Sequence, residues 1–284
     1  MAGYEDLHWT SGDGVRLHAR DYPGDPAKVP VVCLPGLTRN ARDYDALART
    51  LAPGRRVIAV DFRGRGESGQ AKDAMTYVPA TYADDVRLLL GEAGIARFVA
   101  VGTSLGGLVA MLLARDGALA GAVINDVGPQ IEAAGLQRIR GYVGRGSSCP
   151  TWLHAARTVA DAHRDIYPDW GLEEWLGMAK RLYRVTSAGR IVLDYDLRIA
   201  EPFKVPATAE APDMWGALDA LADVPVLVVR GERSDVLSAV TAARMVERLP
   251  AGELVTVPGV GHAPTLAEPV AAAAIDRLME RVTP

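Results

Sequence analysis

Residues 99–110 read VAVGTSLGGLVA. Apolar residues of β type run into Gly102-Thr103-Ser104-Leu105-Gly106-Gly107, after which Leu105, Leu108, Val109 and Leu112 recur at helical spacing. The pattern is strand, sharp turn, helix, with a serine at the apex of a G-x-S-x-G frame. Such an apex needs strained dihedrals and close backbone neighbours, which explains the glycines two before and two after it. The serine hydroxyl then stands clear of the sheet. The helix behind it turns its N–H groups and positive dipole end toward any negative charge that forms there.

The same alternation extends both ways. Upstream, residues 8–21 carry a hairpin turn at Ser11-Gly12-Asp13-Gly14, with alternation that suits a half-exposed strand and places His8 and His18 at the surface. Residues 29–34 (VPVVCL) and 57–60 are continuous apolar runs, as expected for strands buried on both faces of a parallel sheet. The first ends in Pro35-Gly36-Leu37-Thr38-Arg39-Asn40, the second in a Gly- and charge-dense loop at 61–69, where Asp61 and Ser68 are read as stabilising their own turn. Helices are predicted near 44–51 and 81–90. Downstream, residues 122–125, 224–229 and 254–257 are further strands, with helices over 238–249 and 266–282. Strands alternating with helices mean a mainly parallel sheet covered on both faces, with sites at the carboxyl ends of its strands.

The rhythm breaks at 131–213. That stretch shows no buried strand pattern, is punctuated by prolines and holds most of the large aromatics. It reads as a helical cap inserted into a core of residues 1–130 and 214–284, leaving from and returning to the active edge. Trp152, Trp175 and Trp215 are the aromatics taken as candidate pocket residues. His154 and His163 fall in the insertion and read as surface or core groups.

Bulk properties exclude several classes. The 284 residues are 49% apolar and 23% charged, with a net charge of −4 and no basic run. That argues against nucleic acid or an anionic membrane as partner. No run of eighteen apolar residues exists, and the opening MAGYEDLHWTSGDG lacks a leader pattern. Cys33 and Cys149 make no disulfide framework, and the expectation is a cytoplasmic protein. Lysine occurs at four positions only (28, 72, 180 and 204) amid abundant alanine and arginine, which hints at a GC-rich bacterial genome.

Three loops at one sheet edge carry candidate chemistry: Ser104, Asp235 and His262. A serine hydroxyl needs a base to take its proton. His262 can serve and then return the proton to a leaving group, while Asp235 can hold the imidazole tautomer. Asp126 also follows a strand end and stands as the alternative acid.

G-T-S-L-G-G at 102–107, D-F-R-G-R-G-E-S-G at 61–69, R-G-E-R-S-D at 230–235 and G-V-G-H at 259–262 resemble the α/β-hydrolase superfamily across nearly the full chain. The resemblance implies an α/β fold with an eight-stranded, mostly parallel sheet, a helical cap after the sixth strand and a Ser-Asp-His triad. It also implies an oxyanion hole from the backbone N–H groups of Leu37 and Leu105. The chain departs from the family where Pro35-Gly36 replaces the frequent His-Gly, so the oxyanion loop must be held differently.

A nucleophilic serine supports acyl-enzyme chemistry and separates this chain from relatives that use Asp there, the haloalkane dehalogenases and epoxide hydrolases. The leading expectation is hydrolysis of a small carboxylic ester or lactone, without cofactor or metal. Hydrolysis of a carbon–carbon bond in a ring-cleavage diketone is the alternative enzyme reading, although those enzymes generally carry a longer Gly-rich oxyanion loop. A small-molecule receptor with a triad is the alternative of another class. The expected partner is a small apolar or aromatic ester, and a homodimer is compatible with the sequence.

Overall fold

In a computed structural model, which describes residues 3–146, 148–205 and 212–282, eight strands form one sheet in the order β1-β2-β4-β3-β5-β6-β9-β10. These are β1 (Glu5–Thr10), β2 (Arg16–Tyr22), β3 (Val31–Leu34), β4 (Val57–Asp61), β5 (Phe98–Thr103), β6 (Leu119–Asn125), β9 (Val226–Gly231) and β10 (Gly252–Val257). β1, at one edge, pairs antiparallel with β2, β2 pairs antiparallel with β4, and every remaining pair in this sheet is parallel. The central runs were legible because β3, β4 and β6 are buried at every position. A strand covered on both faces has no polar side to alternate with.

Helices cover both faces. One face packs against α2 (Pro79–Glu92), α3 (Leu105–Ala114), α7 (Met214–Asp219) and α8 (Ala239–Glu247), through Val86, Leu89, Val109, Leu113, Leu218 and Met245. The other packs against α1 (Asp45–Leu51) and α9 (Pro269–Arg281), through Ala48, Leu51, Ile275 and Leu278. Among the described residues no helix is long and apolar enough to cross a membrane.

The chain leaves the sheet after β6. It forms α4 (Ala133–Tyr142), α5 (Trp152–His163) and α6 (Leu172–Leu182), and returns through α7. These helices are joined by a hairpin of β7 (Tyr183–Val185) and β8 (Ile191–Leu193), so the excursion is not wholly helical as read from sequence. Strands of three residues are too short to show a period. A separate apolar cluster of Ala155, Val159, Trp175, Met178 and Leu182 holds α5 and α6 together. The excursion is tied to the loop after β4 by backbone bonds, Gly66 N–H to Asp194 O at 3.2 Å and Asp196 N–H to Gly64 O at 2.7 Å.

Two histidine readings divide. His8 is exposed, whereas His18 is buried, between Asp61 at 2.7 Å and Asp6 at 2.9 Å. The alternation of residues 15–20 predicts an exposed His18, but its acidic partners satisfy the buried imidazole. Asp61 does stabilise its turn: it accepts from the N–H groups of Ala41 and Glu67, and Ser68 donates to its carbonyl oxygen.

The turn between β5 and α3 is the tightest point of the fold. A Cβ on Gly106 would meet the carbonyl oxygen of Leu34 at 1.9 Å, and one on Gly102 would meet Gly106 O at 2.3 Å. Both clashes are with backbone, which cannot swing away. Gly106→Ala is therefore expected to push β3 and α3 apart, costing about 3 kcal/mol or more in denaturant unfolding, at the upper end for overpacking. An unfolding midpoint unchanged from wild type would contradict this account of the turn.

Candidate active site

Ser104 sits at the start of α3 with φ 52° and ψ −115°, a left-handed backbone held by its neighbours. Its N–H donates to Asn125 O at 2.9 Å, and its carbonyl accepts from Gly107 N–H at 2.9 Å. The Asn125 side chain donates to Thr103 Oγ1 at 3.1 Å and to Pro264 O at 2.8 Å. It thereby ties the serine strand to the segment after β10 that carries His262.

The Ser104 hydroxyl donates to His262 Nε2 at 2.9 Å. On its other side, His262 Nδ1–H donates to Asp126 Oδ2 at 2.7 Å. The carboxylate only accepts, so it fixes the proton on Nδ1 and leaves Nε2 free to receive the serine proton. Asp126 lies just past β6, fully buried, with φ 57°. Its carboxylate also accepts from Gly231 N–H at 2.8 Å and from Ser234 Oγ–H at 2.7 Å. Its direction is thus set before any contact with His262.

Asp235 does not occupy that position, which corrects the sequence expectation. It accepts a bidentate pair from Arg138 of α4, Nε to Oδ2 at 2.6 Å and Nη2 to Oδ1 at 2.7 Å. The Arg138 hydrogen bond holds the Asp235 carboxyl below its ordinary pKa range. Gly135 N–H also donates to Asp235 O at 3.0 Å. Asp235 therefore anchors α4 to the sheet edge, while its neighbour Ser234 positions Asp126.

The N–H of Leu105 opens α3 and has no intrahelical acceptor. The N–H of Leu37, in the loop after β3, also has no acceptor among the described residues. Leu37 lines the same cavity as Ser104. Arg65, buried, donates from Nε to Leu37 O at 2.9 Å and from Nη1 to Arg63 O at 2.7 Å. This guanidinium holds the loop in which Pro35 stands where the resemblance has histidine.

The cavity over Ser104 encloses about 110 Å³, small beside the ~300–1,000 Å³ of pockets for drug-sized ligands. Besides Ser104, His262 and Leu37, its wall includes Arg39, Tyr142, His163, Tyr167, Met178 and Arg181. None of the three tryptophans chosen from sequence is there. Trp175 is buried against Tyr167 and Trp170 inside the excursion. Trp152 packs against the same cluster, and Trp215 lies under the guanidinium groups of Arg244 at 4.4 Å and Arg248 at 5.5 Å. Aromatic content marks the need for a local core but not the face that meets a ligand. Arg39, Tyr142, Tyr167 and Arg181 meet here from distant segments, and their spacing carries no local signal.

His154 is exposed and bonded to Thr151, but His163 faces the cavity. Burial, with the nearby Arg39 charge adding to it, lowers the His163 pKa to about 4. Its Nδ1–H donates to Val159 O at 3.0 Å, so a neutral ring turns an unprotonated Nε2 toward its other surroundings. Among the described residues no group of three or more His, Cys, Asp or Glu side chains could hold a metal ion.

The comparisons with known proteins agree with this architecture. The model of the alpha/beta hydrolase family matches residues 31–275. A 3-hydroxybutyrate-oligomer hydrolase of Cupriavidus necator is 35% identical over 268 residues, covering 89% of this chain and 90% of the relative. A 2-succinyl-6-hydroxy-2,4-cyclohexadiene-1-carboxylate synthase of Salmonella heidelberg is 29% identical over 223 residues, 76% of this chain and 82% of that one. The crystal structure of an alpha/beta hydrolase from Novosphingobium aromaticivorans superposes with a TM-score of 0.94 at 57% identity, covering 99% of this chain and 100% of the other. Sheet order, serine turn and matched length lead to one assignment: the chain belongs to the alpha/beta hydrolase family, and its enzyme class is hydrolase.

Proposed function

We propose that this hydrolase cleaves a small carboxylic ester or lactone through an acyl-enzyme on Ser104. The observation that carries the reading is the continuous relay Ser104–His262–Asp126, with contacts of 2.9 and 2.7 Å, at the floor of a small cavity. Ser104 Oγ attacks the ester carbonyl as His262 Nε2 takes its proton. The imidazolium so formed is stabilised by Asp126, and the oxyanion by the N–H groups of Leu37 and Leu105. His262 then protonates the departing alcohol. Water enters, loses a proton to the same nitrogen and releases the acid. The described part of residues 131–213 acts as the cap over this cavity, through Tyr142, His163, Tyr167, Met178 and Arg181. The 35% identity to a 3-hydroxybutyrate-oligomer hydrolase along most of both chains favours a short hydroxyacid ester as substrate.

Two outcomes are expected. Ser104→Ala lowers hydrolysis of a 3-hydroxybutyrate dimer by about 10⁴-fold or more while leaving the far-UV circular dichroism unchanged. Turnover retained by the purified variant would sink the nucleophile assignment. A fluorophosphonate adds one adduct to the intact wild-type protein, peptide mapping locates it on Ser104, and His262→Ala slows labelling by about 10²-fold. Labelling at another serine, or at an undiminished rate, would contradict the relay.

A further inference from the structure

The cavity holds more charge than the proposed chemistry uses. Arg39, Asp43 and Arg181 line it together with Ser104 and His262. Arg39 donates to Asp43 from Nε and from Nη2, the latter to Oδ1 at 2.8 Å, and so occupies both carboxylate oxygens. Arg181 Nε reaches the same Oδ1 at 3.2 Å. One carboxylate therefore serves two guanidinium groups, and His163 adds no charge at neutral pH. The wall carries a net positive charge in a recess where solvent screens it weakly.

Arg181 is the under-neutralised partner. Its terminal nitrogens Nη1 and Nη2 donate to no protein group among the described residues. Its backbone is fixed nonetheless. The Arg181 carbonyl accepts from Asn40 Nδ2 at 2.9 Å and from Arg42 Nε and Nη2 at 3.1 and 2.8 Å. The end of α6 is thus pinned to the loop after β3, so the side chain starts from a set position. A guanidinium with a fixed base, an oriented Nε and two free donors suits a planar anion.

We propose that Arg181, with Arg39 aligned beside it by Asp43, forms a carboxylate-binding subsite in the Ser104 cavity. The substrates selected are then esters that carry a free carboxylate beyond the scissile bond, such as the acid ends of linear hydroxyacid oligomers. This deepens the ester-hydrolase reading and rests on it. Tyr142, Tyr167, Ile139 and Met178 add aromatic and apolar wall around it, and a neutral alkyl ester of the same length forfeits the ionic contact.

The test titrates the linear 3-hydroxybutyrate trimer, as free acid and as its methyl ester, into the Ser104→Ala protein by calorimetry. The acid is expected to bind about tenfold more tightly or better, with a preference that shrinks as KCl is raised. Adding Arg181→Met brings the two affinities within about twofold, and Arg181→Lys restores part of the gap because it keeps charge but loses the planar fork. Equal affinities in the Ser104→Ala protein, or a preference that Arg181→Met leaves intact, overturn the subsite. Wild-type hydrolysis of the methyl ester, run in parallel, reports separately on the ester-hydrolase reading. Turnover that Ser104→Ala abolishes, alongside equal affinities, leaves that reading standing while the subsite falls.

Discussion

The contact on which the site depends is the one between Asp126 and its four partners. A buried carboxylate survives only where donors replace water. Here His262 Nδ1–H, Ser234 Oγ–H and Gly231 N–H supply them, and the Asp126 N–H itself donates to Val229 O at 2.7 Å. The partners come from β9 and the loops after β9 and β10, while Asp126 follows β6. One side chain thus joins three neighbouring strand ends. The left-handed backbone at Asp126 is tolerated because an aspartate can adopt it at modest cost and the surrounding bonds over-determine it.

Ser104 completes the frame from the adjacent strand. Its strained turn is enforced by contacts that leave no room for a side chain on Gly102 or Gly106. The excursion closes over this edge through Val143, Ile199 and Ala200, which join the main apolar core, and through a set of polar links. Arg138 holds Asp235, Arg42 pairs with Asp194, Gly261 N–H donates to Ile166 O at 2.9 Å, and Tyr167 donates to Ala263 O. The last two act on the residues flanking His262, so the packing of the excursion and the position of the imidazole are mechanically linked.

Much of this was legible in the chain and part was not, for reasons that differ by residue. Buried strands announce themselves as apolar runs, and the serine turn by its glycines, so the sheet and the place of Ser104 were readable. The choice between Asp126 and Asp235 was not, since both follow strands at the same edge and local sequence treats them alike. It is decided by Arg138, which lies 97 residues before Asp235 and neutralises it from α4. The tryptophans misled because bulk alone suggested a pocket, whereas Trp175 is spent on the excursion's own core. Arg39, His163 and Arg181 gave no sign, because three unrelated segments bring them to one wall.

The most direct measurement is a pair of kcat values, for Asp126→Asn and Asp235→Asn, on one ester substrate with folding verified. Asparagine at 126 removes the acceptor that fixes the His262 tautomer, and such a change typically lowers kcat by about 10⁴-fold. That loss is expected for Asp126→Asn, with a change within about tenfold for Asp235→Asn, whose carboxylate serves Arg138. The reverse order, with Asp235→Asn crippled and Asp126→Asn nearly intact, would contradict the relay described for this enzyme.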